Sequence, residues 1–477
     1  MTLNLDLPRR AFQARPHPTP AERKGDLKRL LSAVLDNQEE LVAAVNQDFG
    51  GRSRQETLLT EIYTTVSAIR HARKNLTRWT QPRRREVPLT LQPGEAWLQP
   101  QPLGVVGIIS PWNFPVNLAL IPLVAALAAG NRVVIKPSEY TPATADLLRR
   151  MLGAAFPEDQ VSVVLGDAAV GRTFAALPFD HLLFTGSTSV GREVMQAAAV
   201  NLTPVTLELG GKSPALIGPG ADLKAAAAAI AYGKLTNAGQ ICIAPDYVLV
   251  PRGQLRPFVE EFSGAARRLY PGGIASDEYT SIINDRHSNR LLAYVEEARA
   301  RGVELIAPWG EPSHPGGRKL APVLALDPPD DLALMQDEIF GPILPVKPYD
   351  TLDQAIEFIN GRPRPLALYL FTGSRGAERQ VAARTISGSL CINDALTQFA
   401  VDDLPFGGVG PSGMGRYHGR EGFDTFSYLK PVFRTRWFNP AALFRPPATG
   451  VQRALGRWLI GKPAARPAKQ PPAGMGI

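Results

Sequence analysis

Apolar residues recur at helical spacing from about Ala21 to Trp79 with almost no breakers, which predicts a helical N-terminal segment. Residues 82–85 interrupt it. The stretch 87–101 reads as two short extended pieces around Pro93-Gly94, a hairpin pattern, and Arg83-Arg84-Arg85 reads as a solvated turn. From Gly104 the pattern changes to short apolar runs alternating with helical stretches. Strands are expected at 104–109, 132–135, 161–164, 180–184 and 204–207, and helices at 116–129, 142–156 and 189–199. A second stretch of the same kind runs from Ala215 to about Thr397, with helices at 223–231 and 288–301. Such alternation predicts an α/β fold built on parallel sheets covered on both faces. Sheets of this type place ligands at the carboxyl ends of their strands.

A chain of 477 residues exceeds one hydrophobic core, so two or three domains are expected. Two cysteines make no disulfide framework and give no sign of an oxidising compartment. The first twenty residues carry charge and prolines without an apolar core, unlike a secretory signal. The best candidate for a membrane span, 116–129, is too short and is interrupted by Asn117 and Pro122. A soluble, cytoplasmic protein is the expectation. The net charge of +8 changes the picture only at one end. From Lys430 to Ile477 there are nine Lys or Arg and no acid, which leaves the rest of the chain at −1. A general footprint for nucleic acid is therefore excluded. In this tail Val451, Ala454, Leu455, Trp458 and Leu459 fall on one helical face, with Arg453, Arg457, Lys462 and Arg466 beside them. Such a helix either packs on protein or lies weakly on an anionic membrane surface.

Candidate chemistry centres on Cys242, in Gly239-Gln240-Ile241-Cys242-Ile243-Ala244-Pro245. A thiol in such a run can reach a substrate carbon, and Glu208, in Leu207-Glu208-Leu209-Gly210-Gly211-Lys212-Ser213-Pro214, can serve it or a water as base. Cys391 lies in an apolar strand-like run and reads as a small buried hydrophobe. Lys136-Pro137-Ser138-Glu139 follows an expected strand and offers a cation and a carboxylate for a nucleotide ribose and phosphate. Gly186-Ser187-Thr188-Ser189-Val190-Gly191 also follows a strand and opens a helix, suiting a pyrophosphate. It lacks the second glycine of the dinucleotide fingerprint.

In order along the chain, these motifs join Pro111-Trp112-Asn113-Phe114-Pro115, Asp337-Glu338-Ile339-Phe340-Gly341-Pro342 and Pro405-Phe406-Gly407-Gly408-Val409-Gly410-Pro411-Ser412-Gly413. Together they resemble the aldehyde dehydrogenase superfamily from about Asn46 to Pro431. The resemblance implies a Rossmann-like NAD-binding domain (1–85 and 103–209) and a second α/β catalytic domain (210–400). It also implies a small β oligomerisation arm with bridging elements (86–102 and 401–432), ahead of the basic tail (433–477). It makes Cys242 the nucleophile, Asn113 and the Cys242 backbone N–H the oxyanion donors, and Glu208 the base that activates the hydrolytic water. No metal is implied. Cofactor contacts would come from Trp112, Lys136, Ser138, Glu139, Gly186, Ser187, Glu338 and Phe340. Glu338 would grip the nicotinamide ribose, with Phe340 near the ring.

The compact N-terminus, Cys242–Val250 and the approach 202–206 are similar to the shorter branch of that superfamily, which takes fatty and aromatic aldehydes. Phe426-Ser427-Tyr428-Leu429-Lys430-Pro431 and the basic tail are similar to the bacterial coniferyl-aldehyde members. A homodimer is implied. Glu139 would repel a 2′-phosphate and favours NAD, while Lys136 beside it would offset that repulsion and leaves NADP open. Asn117, Tyr63, Ile241, Ile243 and the loop 394–399 are expected to shape the substrate pocket. Two other readings compete. A CoA-acylating enzyme would use CoA in place of water, but such enzymes generally lack the glutamate present here as Glu208. A non-catalytic protein on the same fold would need none of Cys242, Glu208 and Asn113.

Overall fold

All thirteen residues of helix Asn117–Ala129 are buried, apolar around the whole circumference apart from Asn117. A helix hydrophobic on every side has to lie inside a domain. It ends at Gly130, whose φ of 95° suits a residue without Cβ. The computed structural model describes residues 4–310 and 317–461. It falls into two compact units: one formed by residues up to Thr80 together with Gln101–Tyr428, the other by Gln81–Pro100 and the chain from Leu429 onward.

The larger unit contains two sheets. The first runs, in spatial order, Gly413–Met414, Val205–Glu208, His181–Thr185, Val105–Ile109, Arg132–Lys136, Val161–Val163. Its strands are parallel except the two-residue edge Gly413–Met414, antiparallel to Val205–Glu208. The second runs Glu304–Ile306, Val323–Leu326, Ile343–Tyr349, Tyr247–Pro251, Pro214–Ile217, Ala367–Phe371, Ser389–Ile392, again parallel but for the edge Glu304–Ile306. Strands such as Val105–Ile109 and Ala367–Phe371 are buried at every position, as expected of strands covered on both faces. The α/β expectation holds, with strand ends within a residue or two. Cys391 sits buried in strand Ser389–Ile392, as read.

Other expectations need correction. The N-terminal helical run is four helices and a π turn: Pro20–Asp36, Gln38–Phe49, Arg54–Thr57, Leu58–Tyr63, Thr64–Trp79. Asn37 breaks it by donating its side chain to the Ala33 carbonyl, and Ser53 restarts it by capping the Glu56 N–H. Before it, Asp6–Ala14 is also helical. Arg83–Arg85 is not a turn but a strand, registered antiparallel against Ala96–Leu98. It is an edge strand, where exposed charges are compatible with pairing. The hairpin therefore closes through the Leu89–Leu91 turn rather than at Pro93-Gly94 alone. Helix Ala168–Ala175, capped by Asp167, had no counterpart in the sequence pattern.

In the smaller unit Arg83–Arg85, Glu95–Pro102 and Ser427–Arg434 form a three-stranded sheet, and Glu95 pairs with Arg434 and Arg436. The tail helix exists, Gly450–Ile460, with a Thr449 capping box and no buried residue. Val451 and Trp458 are each 77% exposed. Lys462 and Arg466 lie outside the described residues.

Candidate active site

Four adjacent strands of the first sheet end on one side, and most of the predicted residues follow those ends. The register pairs Ile109 with both Lys136 and Phe184, and Thr185 with Glu208. The loops carrying Trp112-Asn113, Lys136–Glu139 and Gly186-Ser187 thus leave side by side, beside Glu208 itself. Lys136 is buried and its Nζ lies 2.8 Å from Glu139, which stays partly exposed at the rim. Ser187 caps helix Thr188–Ala199, whose first turn carries no acid and so presents free N–H groups to an anion. The Ser138 hydroxyl accepts from the Tyr140 N–H and its carbonyl from Thr141, all within the same turn.

The second sheet's connections bring in Glu338 and Phe340. Glu338 is inaccessible in its carboxylate, and its Oε1 has no hydrogen-bond partner among the described residues. A Cβ on Gly210 would collide with this carboxylate, so a larger residue there would displace the Glu338 side chain from its place. Burial, reinforced by the charge of Asp246, pushes Glu338 up to about 8. Phe340 has a φ of 51°, a strained value for an aromatic residue. Its ring meets Trp112 edge-on at 5.3 Å.

Sequence reasoning missed what holds this loop. Asp246 accepts from the Ile339 N–H at 3.1 Å and from Lys212 at 2.6 Å, while Lys212 also donates to the carbonyls of Leu334 and Asp337. Arg290 donates to the Ile339 carbonyl at 2.9 Å. Lys234 completes the cluster 3.7 Å from Asp246, lowered by burial to about 8. Lys212 and Asp246 stand inside quoted motifs. Lys234 and Arg290 carried no local signal.

Cys242 is half-buried at one wall of a cavity of about 290 Å³. Burial, then the charges of Glu338 and Glu208, push its thiol up, and the backbone N–H groups of Cys242 and Ile243 oppose this. Both carboxylate oxygens of Glu208 are buried without a partner among the described residues, and burial raises this carboxyl well above its usual range. A carboxyl so displaced is a better proton acceptor near neutrality than an ordinary one. Asn113 is buried, and its Nδ2 donates one bond to the Gln240 carbonyl at 3.1 Å. The second amide proton is free for an oxyanion. A further group missed by the sequence reading is Tyr417, whose buried hydroxyl lacks a partner among the described residues. Its electrostatic neighbours are Glu208 and Cys242.

The cavity is lined by the expected Tyr63, Asn117, Ile241 and Ile243, joined by Phe114 and Tyr232. Of the expected loop 394–399, Leu396, Thr397 and Phe399 take part. No group of three or more acidic, histidine or cysteine residues able to hold a metal occurs among the described residues.

A half-buried thiol, a carboxyl unpartnered among the described residues and an amide donor thus stand with a row of strand ends of the kind that binds nucleotides in α/β folds. Residues 5–432 match the aldehyde dehydrogenase family, and the chain belongs to that family. It is 50% identical to the probable coniferyl aldehyde dehydrogenase of Pseudomonas aeruginosa, over 95% of this chain and 94% of that protein. The substrate-bound AldH of Staphylococcus aureus superposes with a TM-score of 0.90 at 38% identity, covering 95% of this chain and 98% of that one. The indole-3-acetaldehyde dehydrogenase of P. syringae in complex with NAD+ superposes with a TM-score of 0.82 at 27% identity, covering 91% and 88%. The protein is an NAD(P)-dependent aldehyde dehydrogenase. Its residues suit NAD: the Glu338 oxygen unpartnered among the described residues, the Lys136–Glu139 pair and the helix start after Ser187 offer groups of the kind that meet ribose hydroxyls and a pyrophosphate.

Proposed function

We propose that the chain oxidises aromatic aldehydes of the cinnamyl type, such as coniferyl aldehyde, to their acids. The observation that carries this is the cavity beside Cys242, walled by the rings of Tyr63, Phe114, Tyr232 and Phe399, which suits a flat conjugated substrate. The name borne by the half-identical Pseudomonas aeruginosa relative supports the same reading. A kcat/KM panel over aliphatic, benzylic and cinnamyl aldehydes, with NAD and NADP and with and without CoA, tests it. Cinnamyl aldehydes should lead by roughly tenfold, which corresponds to about 1.4 kcal/mol of transition-state discrimination. NAD should be preferred, and CoA should add nothing. A long-chain aliphatic lead would reject the substrate assignment.

In the proposed mechanism the Cys242 thiol gives its proton to solvent water, its sulfur bonds to the aldehyde carbon as the C=O π bond opens, and the carbonyl oxygen becomes an oxyanion facing the Asn113 amide and the Cys242 N–H. One such donor is typically worth about 3–4 kcal/mol of barrier. Bound NAD supplies the hydride acceptor. Loss of hydride from the adduct leaves a thioester on Cys242. Glu208 then takes a proton from the water that attacks the thioester, and the acid leaves as the thiol is restored. Lys136, Ser138 and Glu139 hold the adenosine side, Gly186 and Ser187 the pyrophosphate, and Glu338, Phe340 and Trp112 orient the nicotinamide end.

The free thiols of Cys242 and Cys391 support a reducing, cytoplasmic location. A homodimer is supported by the edge strand Ser427–Arg434, which leaves Tyr428 57% and Phe433 51% exposed for pairing with a second copy. No described helix is long and apolar enough to cross a membrane. Helix Gly450–Ile460, with exposed Val451, Trp458 and Ile460 beside Arg453 and Arg457, supports a weak peripheral contact with an anionic bilayer instead. One comparison addresses both points. The full chain and a chain ending at Asn439 should each be dimeric by light scattering, while only the full chain should sediment with anionic vesicles at low salt. Equal sedimentation, or none, would remove the membrane role.

A further inference from the structure

Beneath Asn113 lies a buried ionic cluster that the mechanism above does not use. Arg52 and Glu61 are both wholly inaccessible in their side chains, and Glu56 is nearly so. The Arg52 guanidinium lies between two rings, 4.9 Å from the centre of Phe49 and 4.8 Å from that of Phe114. It donates to Glu56 and Glu61, each at 3.3 Å, and to the Asn113 carbonyl at 3.0 Å. The second oxygen of Glu61 accepts from the Val116 and Asn117 N–H groups at 3.0 and 2.7 Å, capping a helix start that has no side-chain cap of its own.

Glu56 reaches the other loop. It accepts from the Asn237 N–H at 2.9 Å and from the Thr280 hydroxyl at 3.1 Å. Asn237, at φ 49°, then donates its amide to the Asn113 carbonyl at 3.0 Å and to the Gln240 carbonyl at 3.2 Å. Gln240, two residues before Cys242, is the acceptor of the Asn113 side chain itself. The Asn113 carbonyl is thus held by one donor from each side of the cluster. Glu61 belongs to the π turn Leu58–Tyr63, a geometry that recurs at functional sites, and Leu59, Thr60 and Tyr63 of the same turn line the substrate cavity.

Burying one cation with two carboxylates is costly unless every polar atom is satisfied. Here each is. The cost is visible in Glu61, which burial pushes up to about 7. A fold needing only bulk at this place could use apolar residues instead.

We infer that Arg52, Glu56 and Glu61 are positioning residues, a buried clamp that fixes the oxyanion donor Asn113 relative to the loop carrying Cys242. The inference rests on Asn113 being that donor, as proposed above. Misplacement of a catalytic group by an ångström can cost on the order of a hundredfold in rate.

A double-mutant cycle on the acylation step tests it. Glu61→Gln keeps the volume but removes the charge and one of the two acceptor oxygens, setting an amide NH2 against either Arg52 or the Val116 and Asn117 N–H groups, and Arg52→Lys cannot span the same partners. Each is made alone and in an Asn113→Ala background, with single-turnover NADH formation as readout and NAD affinity as the control for folding. Alone, each should slow acylation roughly tenfold to a hundredfold with NAD affinity unchanged. In the Asn113→Ala background each should cost less than about twofold more, because the group they position is gone. Should Arg52→Lys fail to fold, Glu61→Gln carries the comparison. Losses that multiply in the double variants would show a structural role unconnected with Asn113 and overturn the clamp. If Asn113→Ala itself left acylation intact, the oxyanion assignment would fall and the clamp with it.

Discussion

Replacing Cys242 by alanine should lower aldehyde oxidation by at least about 10⁴-fold, because the atom that bonds to substrate is gone and the remaining groups act only through it. NAD affinity should be nearly unchanged. The residues proposed to hold the cofactor lie at the ends of strands Val105–Ile109, Arg132–Lys136 and His181–Thr185 and on the loop 337–342, none of which depends on the thiol. Cys391→Ala is the matched control. It removes a sulfur buried in strand Ser389–Ile392, costs roughly 1 kcal/mol of stability, and should leave kcat/KM within about twofold. Steady-state turnover with titrated NAD checks all three. More than trace oxidation by Cys242→Ala would remove the covalent route.

The second large effect is expected at Glu208. With glutamine there, thioester hydrolysis should slow by about 10²–10⁴-fold, the range of a positioned general base. Acylation should survive, since the thiol and the oxyanion donors are untouched. The signature is a burst of NADH equal to the enzyme concentration, followed by slow turnover. The pH dependence has a definite sign. Glu208 acts as base only when ionised, and burial raises its pKa above the usual value of 4.5. Wild-type deacylation should therefore fall as pH drops through a range well above 4.5, and the glutamine variant should lose that dependence. Equal loss of burst and steady rate would mean that Glu208 also activates Cys242.

Much of this site was legible in the sequence for a physical reason. Cys242, Asn113, Glu208 and Glu338 each sit in a short run whose neighbours shape the backbone: Gly210, two residues after Glu208, lies against the Glu338 carboxylate, Gly239 takes a φ of 75° ahead of Cys242, and a helix starts after Ser187. Local sequence carries local geometry. The supports are different. Asp246 holds Ile339 from 93 positions away, and Arg52 reaches Asn113 from 61. Each looks like an ordinary surface charge until the fold buries it, and no periodicity marks it. Tyr417 escaped for the same reason, standing between the quoted runs 405–413 and 426–431.

In the fold, apolar strands and amphipathic helices declared themselves through their period, while Arg83–Arg85 did not. An exposed edge strand has no apolar face to alternate, so its charges imitate a turn. The break at Asn37 was hidden because the side chain ends the helix by bonding back to Ala33, a signal weaker than glycine or proline.

The central claim is that hydride loss leaves the substrate bound as a thioester on Cys242, which Glu208 then clears. Intact-mass analysis of Glu208→Gln mixed with NAD and cinnamaldehyde tests it most directly. The account predicts that most of the protein gains the mass of one acyl group, mapped to the Cys242 peptide, and that Cys242→Ala gains none. An NADH burst with no adduct, or an adduct on another residue, would contradict it.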